Sequence, residues 1–163
     1  MSSSPYAYQY YLLQSLLAEF NLPTTRDLAQ APGVRAVIRV TCHYPHLTPP
    51  NSVATLTDAL TQDPMLTVAY EGNPNAKQSK PANPAAVKSL TAALSRLRFD
   101  KLDDQPGIPA SDCVLWLVER AAGGFIKGVL LAPDHAESDH AQLVTHLQNH
   151  LPTAINPLGG TVA

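Results

Sequence analysis

Charge is scarce in this chain: Asp, Glu, Lys and Arg make up 15% of its 163 residues, against roughly a quarter in an average soluble domain. The net charge is −2 and the pI lies near 6.3. Such a chain has no global cationic field to hold a phosphate backbone, so nucleic acid is not an expected partner. Cysteine is scarce too. Two thiols, Cys42 and Cys113, cannot staple a chain of this length, and both read as buried side chains. Eight glycines stand against fifteen prolines, and the Gly-based catalytic signatures are missing: there is no G-x-S-x-G elbow, no Walker A loop and no G-x-G-x-x-G. Long apolar runs are also missing. MSSSPYAYQYYLLQSLLAEF has no Lys or Arg ahead of its apolar part and no uninterrupted run long enough for a leader or a span, so a soluble, cytoplasmic protein without membrane contact is expected.

What is present is a set of periodic segments that fit one domain covering residues 1–163. Tyr6, Tyr10, Leu13, Leu17 and Phe20 recur at helical spacing, with Leu12 and Leu16 widening the stripe, which predicts an amphipathic helix over 5–20. TTRDLAQAPGV predicts a short helix capped by Thr24 or Thr25 and closed at Gly33. It runs into a strand, VRAVIRVTCHY, in which Ile38, Val40 and Cys42 face the core and Arg35, Arg39 and His43 face water. PPNSVATLTDALTQD reads as a Pro-led helix capped by Asn51 or Ser52, and MLTVAYEG as a second strand. The stretch 72–83 has no periodic apolar positions and is expected to be a mobile surface loop.

PAAVKSLTAALSRLRF predicts another helix, with Val87, Leu90, Leu94 and Leu97 on one stripe. The acidic connection DKLDDQPGIPASD follows it, and Asp103 and Asp104 read there as solvated turn residues. CVLWLVERAAGGFIKGVLLAP predicts a β-hairpin whose facing does not depend on the turn chosen: Val114, Trp116, Val118 and Arg120 share a side with Phe125, Lys127, Val129 and Leu131. A last helix opens with a capping-box-like pair, Asp134 and Glu137, and carries Ala136, His140, Leu143, Leu147 and Leu151 on one stripe up to Pro152. A loose tail over 153–163 follows. The expected fold is α+β, with a small, mainly antiparallel four-stranded sheet and helices mostly on one face.

Chemistry is concentrated in the histidines. CHYPH puts Cys42, His43 and His46 within five positions, and HLQNH places His146 and His150 one helical turn apart. Zinc needs three or four ligands meeting at one point. Leu147 occupies the place of the Glu that a metalloprotease helix requires after its first His. Cys42 and His43 point to opposite faces of a strand. No catalytic residue, cofactor or metal is therefore expected. A metal-dependent hydrolase built on His43, His46, His146 and His150 is the least favoured alternative.

The remaining candidates are two surfaces. If the first strand and the hairpin align, Arg35, Arg39, His43, Trp116, Arg120 and Lys127 form a cationic and aromatic sheet face suited to a small anionic ligand. The Tyr-bearing first helix, through Tyr6, Tyr10, Leu13, Leu17 and Phe20, is suited to a protein partner or to self-association as a homodimer. A non-catalytic interaction or adaptor domain is the leading expectation, and an anionic-ligand domain the alternative.

Overall fold

The computed structural model describes residues 5–45 and 50–151, the side chains of 73–78 excepted. Its centre is one six-stranded, wholly antiparallel sheet in the order β4-β3-β2-β1-β5-β6. The strands are β1 (Val34–His43), β2 (Ser52–Ala59), β3 (Met65–Tyr70), β4 (Asn73–Pro81), β5 (Leu115–Ala122) and β6 (Phe125–Leu131). Four helices complete the α+β fold: α1 (Ala7–Phe20), α2 (Thr25–Ala29), α3 (Pro84–Arg96) and α4 (Ser138–His150). Among the described residues, no helix is long and apolar enough to cross a membrane.

The sheet is sandwiched, which corrects the expectation of helices mostly on one face. On one side, Ile38, Val40 and Cys42 of β1 join Leu56, Leu66, Trp116, Val118, Val129 and Leu131 beneath Val87, Leu90 and Leu94 of α3 and Leu143 and Leu147 of α4. On the other, Leu13 of α1 packs with Leu115, Leu117 and Leu130, while Leu16 and Phe20 pack on Val53 and Ala69, and Ala29 of α2 on Val37 and Ala121. The side of β1 expected to face water is therefore covered by α1 and α2. Arg39 on that side is only 3% exposed.

Local chemistry explains most boundaries. The Thr24 hydroxyl accepts from the Asp27 amide at 3.0 Å and caps α2. Asn83 does the same for α3 at the Ala85 amide (2.9 Å), with Pro84 in the first turn. The expected Asp134–Glu137 box is not formed. Pro133–His135 is a 3-10 turn, and α4 starts after Glu137 without a side-chain cap. The β5–β6 turn centres on Gly123-Gly124, since Ala122 pairs with Phe125, and Gly123 has φ 58°.

Two segments differ from their sequence reading, giving six strands instead of four. Residues 52–59, expected as a helix, form β2: Val53, Thr55 and Thr57 alternate with Ala54 and Leu56, a period-2 pattern rich in β-branched side chains. Asn51, expected as a helix cap, instead ties strand ends together. Its Oδ1 accepts from the Tyr44 amide (2.6 Å) and its Nδ2 donates to Glu71 (3.1 Å). Residues 73–81, expected within a mobile loop, form edge strand β4 on β3. An edge strand is held by its backbone ladder, needs no apolar alternation, and tolerates proline. His46 and the tail 153–163 lie outside the described residues.

Segment 102–108 is a clasp and not a solvated acidic turn. Asp104 Oδ1 accepts from the Tyr10 hydroxyl and the Leu130 amide, both at 2.8 Å. Gln105 accepts from the Ala132 amide (3.0 Å) and donates to the His135 carbonyl (3.0 Å). The Tyr6 hydroxyl donates to the Gln105 carbonyl (2.7 Å). A ring nitrogen of His140, His140 Nε2, meets the Asp103 carbonyl at 2.7 Å. The clasp joins α1, the outer edge of β6 and α4.

Candidate functional site

The strand register decides where the candidate sheet face goes. Arg39 stands opposite Glu119, and His43 opposite Leu115, while Cys42 stands opposite Trp116 and Ile38 opposite Arg120. Arg35, Arg39 and His43 are thus not brought together with Trp116, Arg120 and Lys127, which belong to the other face of the sheet. Arg35 sits at the rim, 3.9 Å from Asp58. His43 is half-buried, and burial pushes its pKa down against the opposing pull of Glu71. Trp116, 1% exposed, is core. Arg120 and Lys127 pair across β5 and β6.

Beneath α1 and α2 lies a polar seam that the sequence did not announce. Arg39 Nε donates to the Thr55 hydroxyl at 3.0 Å, and Thr25 of α2 donates to Glu119 Oε2 at 3.3 Å. Glu119 Oε1 and the Thr41 hydroxyl are buried without a hydrogen-bond partner among the described residues. Burial raises the Glu119 pKa, an effect opposed by Arg39 and by Thr25. The matching effect lowers that of Arg39, opposed by Glu119. The only sequence signal for this seam was a pair of arginines on one flank of β1, readable equally as a wet face.

The described candidate histidines do not converge. His43 ends β1 on the α1 side, whereas His146 and His150 ride on α4, their rings 6.3 Å apart and tilted by 40°. The His150 ring is engaged with the His146 carbonyl at 2.7 Å. No group of three or more His, Cys, Asp or Glu side chains among the described residues could hold a metal ion.

Both cysteines are free and buried. Burial pushes the Cys42 thiol up to about 12, with contacts to Ser52 and Tyr44 opposing weakly, and burial also raises that of Cys113. Because the thiolate is the nucleophile, a disulfide exchange reagent at pH 8 should modify neither thiol quickly in the native protein, and both after unfolding. Rapid modification of Cys42 in the native state would show that the sheet opens at its end.

The first helix presents two faces. Of the stripe picked out by its periodicity, Leu13 and Phe20 are buried on the sheet, Leu17 packs at the edge of the same cluster, and Tyr6 and Tyr10 are half-buried and hydrogen-bonded to the clasp. That stripe is occupied by the protein's own core. The outward side carries Tyr8 and Tyr11, 66% and 69% exposed, with Ala7, Gln14 and Ala18, and the one charged residue in the helix is Glu19. Tyr8 and Tyr11 escaped the sequence reading because they fall off the core stripe. Their three-residue spacing, which places them side by side on one flank, was the available signal. Searches with the sequence against protein-family models and against curated proteins found no match.

Proposed function

We propose that this chain is a non-catalytic protein-interaction domain whose docking element is the outer face of α1. One observation carries this reading: two tyrosines about two-thirds exposed stand on a helix side whose single charge, Glu19, lies at the far C-terminal end, while the opposite side is anchored by Leu13, Leu16 and Phe20. Tyrosine offers a large apolar body and a polar tip at little entropic cost, the combination enriched where proteins meet. A rigidly anchored helix also spends little ordering entropy on binding. The favoured partner is a second copy of the chain. In a two-fold contact the same patch meets itself, so a face crowded with like charges would repel its copy, whereas this one carries a single charge, Glu19, away from the tyrosines.

The test is solution mass over rising protein concentration, for the native chain and for Tyr8→Lys/Tyr11→Lys. The native chain is expected to shift from monomer to dimer, and the double variant to remain monomeric. Its unfolding free energy should stay within about 0.5 kcal/mol of the parent, as for exposed helix positions. A native chain that stays monomeric, or a variant that dimerises equally well, refutes the reading.

A further inference from the structure

Beyond the end of α3 the chain turns sharply at Arg98 and runs through a 3-10 turn, Phe99–Lys101, towards the turn end of the β5–β6 hairpin, where Asp100 meets Arg120. A cleft of about 410 Å³ lies there, with Leu94 and Phe99 as its floor and Arg98, Asp100, Lys101 and Arg120 around it. We propose that this cleft binds the phosphate group of a small phosphomonoester.

Three features point to that ligand. First, the lining holds three cations and one carboxylate, and Lys127 stands directly opposite Arg120 in the ladder. Like charges placed so destabilise a sheet; Asp100 offsets Arg120, and the lining is still left with more cations than carboxylates. The concentration of positive charge is local, in a chain whose net charge is −2. Second, Arg98 adopts φ 54°, ψ 49° at the position after the α3 C-cap. Glycine takes this left-handed conformation at far lower cost. The strained backbone therefore carries a permanently charged guanidinium at the cleft mouth. Third, Arg120 Nη1 reaches both Asp100 oxygens, at 3.0 and 3.2 Å. That contact fixes the guanidinium while Nε and Nη2 make no hydrogen bond to a described residue, which leaves donors for two phosphate oxygens. The volume lies within the range of small-ligand sites.

The experiment is a ¹H–¹⁵N chemical-shift titration of the full chain with phenyl phosphate, alongside inorganic phosphate and neutral benzyl alcohol. Saturable shifts at 95–101 and 119–121 are expected with both phosphates and not with the alcohol, weakening as salt is raised. Arg120→Gln should weaken binding at least about tenfold, since it removes the positive charge and one of the two donor nitrogens assigned to phosphate. Arg98→Gly should also weaken binding yet raise the melting temperature, because it removes a charge and relieves the backbone together. That opposite movement keeps the proposal separate from a folding defect. Shifts that do not saturate, that appear equally on other cationic surfaces such as Lys88, or that persist unchanged in both variants would overturn it. The cations would then serve only to offset the C-terminal end of α3.

Discussion

Trp116→Ala is expected to lower the unfolding free energy by about 3 to 5 kcal/mol, the usual cost of truncating a fully buried aromatic. Trp116 lies in the row Ser52, Cys42, Trp116 and Leu131 that crosses β2, β1, β5 and β6 under α3 and α4. It is among the largest fully buried side chains. Removing it leaves a void between two strands at the centre of the sheet and the helices above, which cannot collapse without moving the sheet. Urea unfolding measures the loss as a lower midpoint at unchanged slope. Trp116→Phe should cost much less. The indole Nε1 lies near the Tyr44 hydroxyl without meeting hydrogen-bond geometry, so the smaller ring also removes a buried, unsatisfied donor. If Trp116→Ala lost less than about 1 kcal/mol, below the range for such truncations, the residue would be available to a ligand after all and its core assignment would fail.

Arg39→Met should cost about 2 kcal/mol at neutral pH, since it removes the buried hydrogen bond to Thr55 and the nearby cation that offsets the half-buried Glu119 without touching it as an ion pair. The loss has a pH signature. Glu119 already has a folded-state pKa raised by burial, and Arg39 is the largest influence opposing that rise. Without the guanidinium it rises further. A carboxyl whose folded pKa exceeds its unfolded value holds its proton more tightly in the native state. Stability is then undiminished below the unfolded value and falls as pH rises through the window between the two. The variant's deficit relative to the parent should therefore shrink as pH is lowered from neutral towards 5. The double variant Arg39→Met/Glu119→Gln should recover part of the stability at pH 7 and lose the extra pH dependence. An Arg39→Met deficit that stays constant from pH 5 to pH 7 would mean that Glu119 is hydrated in the native state, and the seam beneath α1 and α2 would not be a coupled pair.

These two residues also show where the candidate sheet face came apart. Arg39 and Trp116 were each legible as strand residues with a definite facing. Whether they shared a face depended on whether odd or even positions of β1 stand opposite even positions of β5. A shift of one residue exchanges every side chain between faces. The two strands are separated by more than seventy residues of sequence, and no local signal carries their register. In the structure Cys42 stands opposite Trp116 and Arg39 opposite Glu119. One candidate entered the core, and the other was sealed under α1 and α2.

By itself, the sequence determined the elements whose side-chain period matches their burial. The stripes of α1, α3 and α4, a threonine cap at 24 or 25 and the facing of the β5–β6 hairpin all follow from 3.6- or 2-residue spacing and turn chemistry within the element, whereas β1 was legible as a strand but not as one buried on both faces. Only the tertiary structure decided the rest. Residues 52–59 became a strand because β1 and β3 supply ladders on both sides, and 73–81 joined as an edge because β3 offered an unpaired backbone. The outer face of α1 emerged as surface only once its inner stripe had found the sheet, and the cationic cleft only once Arg98 and Arg120, distant in sequence, met at the end of α3. The physical reason is common to these cases. Backbone hydrogen bonding, register and charge proximity are properties of pairs of segments, whereas periodicity is a property of one segment alone.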